Sequence, residues 1–110
     1  MRVGNSFALM AAAMLLFSAD AARADRLDGD WCRSDGKRMS INGPDITTPG
    51  GTRMKGEYAR HFFSYVVPAG EDGAGQTVAI RQLSEQLAHA RQGSDNAPLQ
   101  VWNRCQPTVS

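Results

Sequence analysis

Two cysteines constrain this chain more than any other feature: Cys32 and Cys105 stand near the two ends of the segment that has to fold. A bridge between them closes a loop around almost the whole domain. In the chain-entropy description a loop of that size contributes about 4 kcal/mol before strain is subtracted. That is a large share of the stability of a small domain. The spacing matches neither C-x-x-C nor a zinc-ligand pattern. The pair therefore reads as a structural disulfide, which requires an oxidising compartment.

The N-terminus supplies the address. Arg2 and the amino group form a positive start, and Phe7 to Ala19 (FALMAAAMLLFSA) is an uncharged apolar run of 13 residues. A membrane-spanning helix needs about 20. Ala22-Arg23-Ala24 is a small-x-small cleavage site, so residues 1–24 read as a signal peptide and the mature chain starts at Asp25. A membrane-anchoring helix is the alternative, and no later apolar run supports it. The expected location is periplasmic or secreted, without stable membrane insertion once the leader is gone.

Removing the leader changes the composition. Of 110 residues 86 remain, with ten basic and ten acidic side chains, and about a third are apolar. A net charge of zero gives no reason to expect nucleic acid or an acidic membrane surface as partner. The length allows one domain, 25–105, followed by a disordered tail at 106–110. It excludes a two-domain enzyme, a dinucleotide-binding fold and an eightfold strand–helix barrel, which typically takes about 250 residues. So thin a core gains much from a covalent staple.

The mature chain reads as all-β, with turn signals at short intervals. Asp30–Ser34 and Lys37–Asn42 flank Asp35-Gly36, which fits a two-residue hairpin turn. That register sets Cys32 opposite Met39 and Asp30 opposite Ile41, with Cys32, Met39 and Ile41 on the buried face. Trp31 then falls on the outer face beside Ser40, unless a bulge intervenes or its indole covers one end of the structure. A short strand follows at Asp45–Thr48. Thr52–Pro68 is too long for one strand and should break near Gly56 or around Arg60-His61. Gly70–Gly75 is a loop and Gln76–Leu83 a strand. Residues 84–92 allow a short helix, although strand is preferred because strands lie on both sides. Leu99–Cys105 closes the domain, with Leu99, Val101, Asn103 and Cys105 on one face. The expected fold is a small antiparallel meander, a curled sheet or barrel closed by the terminal disulfide.

Gly29-Asp30-Trp31 is a G-x-W opening, and Arg104 lies in the last expected strand. In these two segments the chain resembles the lipocalins and related calycin barrels, including bacterial metalloprotease inhibitors. The resemblance implies that Trp31 plugs the barrel base and that Arg104 stacks on it as a cation–π partner. The mature chain is shorter than a typical lipocalin, and a Cys32–Cys105 bridge differs from the local disulfide of the inhibitors. Along its whole mature length the chain also resembles a group of short exported bacterial proteins of unknown function. DGDWC, GPDITTPGG, GEYARHFFSYVVP, AGEDGAG and VWNRC carry that likeness, which implies location and a small β-rich domain but no activity.

Reactive side chains are densest at Glu57, Tyr58, Arg60, His61 and Tyr65. Strand alternation puts Tyr58, Arg60 and Phe62 on one face, and Glu57, His61, Phe63 and Tyr65 on the other. Glu57 and His61 suit acid–base work only if a bend joins them, since an extended strand holds them about 13 Å apart. A small hydrolase or lyase using Glu57, Arg60 and His61 is therefore the least favoured reading. No serine lies in a G-x-S-x-G setting. His61 and His89 are at most half a metal site, and GEDGAG has the wrong acidic spacing for calcium. No catalytic residue, metal or cofactor is assigned.

Binding is the better expectation. Trp31, Tyr58, Phe62, Tyr65 and Trp102 exceed what a thin core hides easily, and Arg38, Arg53, Arg60 and Arg104 stand near them. Aromatic-plus-arginine surfaces are typical of interface hot spots. Tyr58, Arg60, His61 and Tyr65 are the candidate binding residues. The favoured reading is a non-enzymatic binding or accessory module, inhibitor-like in size, acting on an envelope or secreted protein. A small-ligand-binding barrel is the alternative, and an interior cavity below about 300 Å³ would argue against it.

Overall fold

The computed structural model describes residues 26–106. The signal peptide assigned to 1–24 lies outside them, as does the tail assigned to 106–110 apart from Gln106. Nine strands follow one another: β1 (Gly29–Cys32), β2 (Arg38–Asn42), β3 (Asp45–Thr47), β4 (Arg53–Lys55), β5 (Glu57–Ala59), β6 (Phe62–Val66), β7 (Thr77–Gln82), β8 (Leu87–Gln92) and β9 (Gln100–Arg104). They form one sheet in the order β4-β3-β2-β1-β9-β8-β7-β6-β5, and every pairing is antiparallel. The described residues contain no helix. At 84–92 the chain turns through Ser84–Gln86 and continues as β8, whose Ala88 and Ala90 point inward with strand periodicity.

The sheet curls into a nearly closed barrel. Trp31 pairs with Arg104 and Cys32 with Asn103, so the first strand lies against the last. On the far side both expected breaks in 52–68 occur. Arg53–Lys55 pairs with β3, and Glu57–Ala59 pairs with β6. The edge strands are thus two halves of one segment, bent at Gly56. Any side chain there would meet the Ser64 carbonyl at 2.5 Å and the Phe63 ring at 2.6 Å, which explains glycine at the corner. The Cys32–Cys105 disulfide bridges β1 and the end of β9 with Cα atoms 5.0 Å apart.

The first hairpin departs from the expected register. Arg33 N–H donates to Lys37 O at 2.9 Å, and Gly36 N–H donates to Arg33 O at 3.0 Å with φ of +91°. The loop is therefore Ser34-Asp35-Gly36, the three-residue kind that carries a bulge. One extra loop residue shifts the pairing to Trp31↔Met39 and Cys32↔Arg38. Because side chains alternate, that single step sends Trp31 inward and Cys32 to the other face. The bulge alternative holds, and the placement of Cys32 with Met39 and Ile41 is corrected.

The core follows from this register. Trp31, Trp102, Phe63, Leu27, Ile46 and Ile80 are fully buried, with Met39, Ile41, Tyr65, Val67, Val78, Ala88 and Ala90 around them. An indole or phenol ring buries about 150–250 Å², at roughly 25 cal/mol per Å². Trp31, Trp102, Phe63 and Tyr65 therefore dominate the apolar stabilisation. Residues 60 and 61 form a two-residue turn that pairs Ala59 with Phe62, which resets the alternation expected through this stretch. Tyr58 consequently joins Phe63 and Tyr65 on the inner face, and Phe62 points out. Leu99, Val101 and Asn103 do share a face, the outer one, while Trp102 fills the interior.

Candidate functional site at the open end of the barrel

One end of the barrel is sealed. Leu27 is fully buried and accepts a 2.7 Å hydrogen bond from Trp31 Nε1 on its carbonyl, while its N–H donates to Arg60 O at 3.0 Å. The Arg104 guanidinium lies 4.2 Å from the Trp31 ring centroid. It donates to the carbonyls of Asp28 at 2.5 Å, Glu85 at 2.7 Å and Arg26. Burial lowers the Arg104 pKa, against the opposing pull of Asp28 and Glu85. Gly29 makes this possible: its φ is +125°, and a side chain there would sit 2.6 Å from Arg104 Nη1. Asp28 completes the seal by accepting from Gly43 N–H at 2.7 Å and from the Tyr58 hydroxyl.

The opposite end is open. A cavity of about 400 Å³ enters the barrel there. Its apolar wall comprises Met39, Tyr65, Val67, Val78, Ile80, Ala90 and Trp102, and its rim carries Arg33, Lys37, Glu71, Asp72, Gln92 and Gln100. Two of the rim charges, Arg33 and Glu71, are held by neighbouring side chains. Arg33 forms two bonds to Asp35, at 2.9 and 2.7 Å, and stacks 5.3 Å above the Trp102 ring. That pairing holds the Asp35 carboxyl at about 2.

Glu71 binds the neighbouring loop. One of its oxygens accepts from the hydroxyls of Thr48 at 2.6 Å and Thr52 at 2.5 Å. Burial pushes its pKa up, but those hydroxyls and the amides of Gly50 and Thr52 outweigh this and leave it lowered. Trp102 Nε1 donates to Gln100 Oε1 at 3.3 Å. Gln92 Nε2 bridges the Asp72 carbonyl and Gln76 Oε1, at 3.1 Å each.

The candidate binding residues do not share one concavity. Tyr65 lines the cavity, whereas Tyr58 belongs to the sealed end. Arg60 and His61 form the β5–β6 turn at that same end, and His61 lines a separate shallow groove with Gln82, Leu83, Ser84 and Glu85. Glu57 points outward from β5 opposite Ser64. Among the described residues no group of three or more His, Cys, Asp or Glu is placed to hold a metal ion. No helix among them is long and apolar enough to cross a membrane.

The expected aromatic surface is largely internal. Trp31, Trp102 and Tyr65 are core residues, Tyr58 packs against them, and only Phe62 is exposed. The exposed large apolar side chains are Phe62, Val66, Leu83, Leu99 and Val101. Across four strands Phe62, Arg81, His89 and Val101 form one outward row. Beside it lies a shallow groove that includes Phe62, Leu83, Asp95 and Leu99. Sequence reasoning missed Arg33, Glu71 and Trp102 as cavity residues, because they meet only when three loops converge on one barrel end. Glu71, one of the two acidic residues in GEDGAG, ties this loop to Thr48 and Thr52.

No family model matches the chain, and neither a curated protein nor a solved structure shows significant similarity to it.

Proposed function

We propose that the chain is an exported, non-enzymatic binding module that takes a small molecule into the open end of its barrel. The observation that carries this reading is the cavity of about 400 Å³, which lies within the range of ligand pockets. Apolar side chains line its inner wall and charged and amide groups crowd its rim, so the exposed lining is more polar than apolar and offers both kinds of contact to a ligand. The opposite end is sealed by Trp31 and Arg104. The disulfide suits a periplasmic or secreted location, where such a bridge persists. Amide shift mapping during titration with small aromatic and aliphatic fragments tests the reading. Shifts at Tyr65, Val78, Gln100 and Trp102 are expected, and a Val78→Phe variant that fills the wall should abolish them. Absence of shifts at those residues would overturn it.

A second reading, an envelope or secreted protein as partner, draws on the outer face of β6, β7 and β9. On these strands and the residues that flank β7 and β9, five large apolar side chains are 39–52% exposed. Photo-crosslinking from position 101 in the exported protein would yield a defined adduct, lost in a Phe62→Ser variant. An unchanged monomer band would argue against this partner face.

A further inference from the structure

The cavity's polar groups differ in how far their hydrogen-bonding capacity is met, and that difference selects among ligands. Arg33 is paired twice with Asp35. Glu71 is held by two threonine hydroxyls and by backbone amides. Trp102 Nε1 is held by Gln100. Lys37 and Asp72 are exposed at the rim and opposite in sign.

Tyr65 is the exception. Its side chain lines the cavity and only 6% of the residue is exposed, yet its hydroxyl has no hydrogen-bond partner among the described residues. A phenol in that position gains by donating to whatever enters.

We infer that the cavity takes an uncharged ligand whose hydrogen-bond acceptor, a carbonyl or ether oxygen, receives the Tyr65 hydroxyl while its apolar body lies against Val67, Val78, Ile80 and Trp102. This inference rests on the cavity reading proposed above. Charge decides against an anion. Glu71 lines the same cavity as Tyr65, and its hydrogen-bond donors are neutral threonine hydroxyls and backbone amides rather than a cation. Of the two cations that line the cavity, Arg33 is paired with Asp35, and Lys37 is exposed at the rim together with Asp72 of opposite sign. A carboxylate placed on Tyr65 would lose its hydration and face Glu71. A pure hydrocarbon would leave the hydroxyl unsatisfied. Burial, with Glu71 adding to it, pushes the Tyr65 phenol up to about 12, so it remains a donor throughout the physiological range.

Three probes of nearly equal size separate the possibilities: acetophenone, benzoate and ethylbenzene, titrated at pH 7 into the oxidised chain and followed by amide shifts. Acetophenone should bind at least about fivefold more tightly than either of the others. Tyr65→Phe, which removes only the hydroxyl, should weaken acetophenone by about fivefold and leave ethylbenzene unchanged. Tightest binding by benzoate would overturn the exclusion of anions. Equal binding of ethylbenzene, or no effect of Tyr65→Phe, would overturn the role of the hydroxyl while leaving the cavity reading intact. Failure of all three to shift any cavity residue would overturn both. The amide spectrum of Tyr65→Phe without ligand, matching the parent outside the cavity, establishes that the variant folds.

Discussion

Arg104 covers the face of Trp31 at 4.2 Å and at the same time donates to three backbone carbonyls, those of Arg26, Asp28 and Glu85. One side chain thus ties the N-terminal segment, the β7–β8 turn and the last strand over the buried indole. The planar fork of a guanidinium does this, and an ammonium does not. Arg104→Lys should therefore cost about 2–4 kcal/mol, combining cation–π loss with unsatisfied carbonyls. Urea unfolding of the oxidised protein measures it, and a loss below about 0.5 kcal/mol would contradict the account.

The disulfide joins residues separated by 73 positions. Replacing both cysteines, Cys32→Ser with Cys105→Ser, should lower stability by about 4 kcal/mol if loop entropy governs. Thermal melts of the oxidised protein with and without reductant should differ in the same direction. Coincident melts would show that the barrel closes without the bridge.

At Gly56 an added methyl group has nowhere to go, with the Ser64 carbonyl and the Phe63 ring both within 3 Å of its position. Gly56→Ala should destabilise by about 1–3 kcal/mol through overpacking. Loss of near-ultraviolet circular dichroism from Phe63 and its neighbours would accompany it. Wild-type stability in that variant would mean that the corner is not tightly packed.

Glu71 links stability at the barrel mouth to pH. Its carboxyl lies below its ordinary value of 4.5: burial raises it, but the bonds from Thr48 and Thr52 outweigh that effect. A depressed folded-state value means that the stabilisation is fully present above 4.5 and is lost as pH falls through the lower value. Amide exchange in the 69–75 loop should accelerate relative to the β7–β8 hairpin on acidification from pH 6 to 3. Glu71→Gln should remove most of that pH dependence. A loop equally acid-sensitive in the variant would assign the effect to other carboxylates, such as Asp30 or Asp35, whose values are also lowered.

Much of the architecture is legible in local chemistry. Glycine-rich turns, the alternation in β7 and the two cysteines are enough to suggest an antiparallel meander with its ends joined. The register of the first hairpin is not. Asp35-Gly36 suits a two-residue turn and a three-residue loop equally, since both use glycine at positive φ. Only the interior demand for Trp31, met through β9, decides between them. Phe62 and Phe63 pose a similar problem. Which of the two is buried depends on where residues 60 and 61 turn, and both neighbours are equally apolar. The mouth was least legible of all. Tyr65 stands out by its chemistry, but its companions Arg33, Glu71 and Trp102 come from distant parts of the chain.

The strand order also has a kinetic consequence. Seven of the eight pairings join strands that follow one another in the chain, and the eighth joins β1 to β9. Hairpin-like pairings close short loops and form early, whereas the last pairing must close a loop of nearly the whole domain. The seam between first and last strands is therefore the slow step. The bridge lies on that seam, so once formed it turns the longest-range contact of the barrel into a local one. Refolding with the disulfide intact should run much faster than oxidative refolding from the reduced chain, a ratio that stopped-flow tryptophan fluorescence of Trp31 and Trp102 would report.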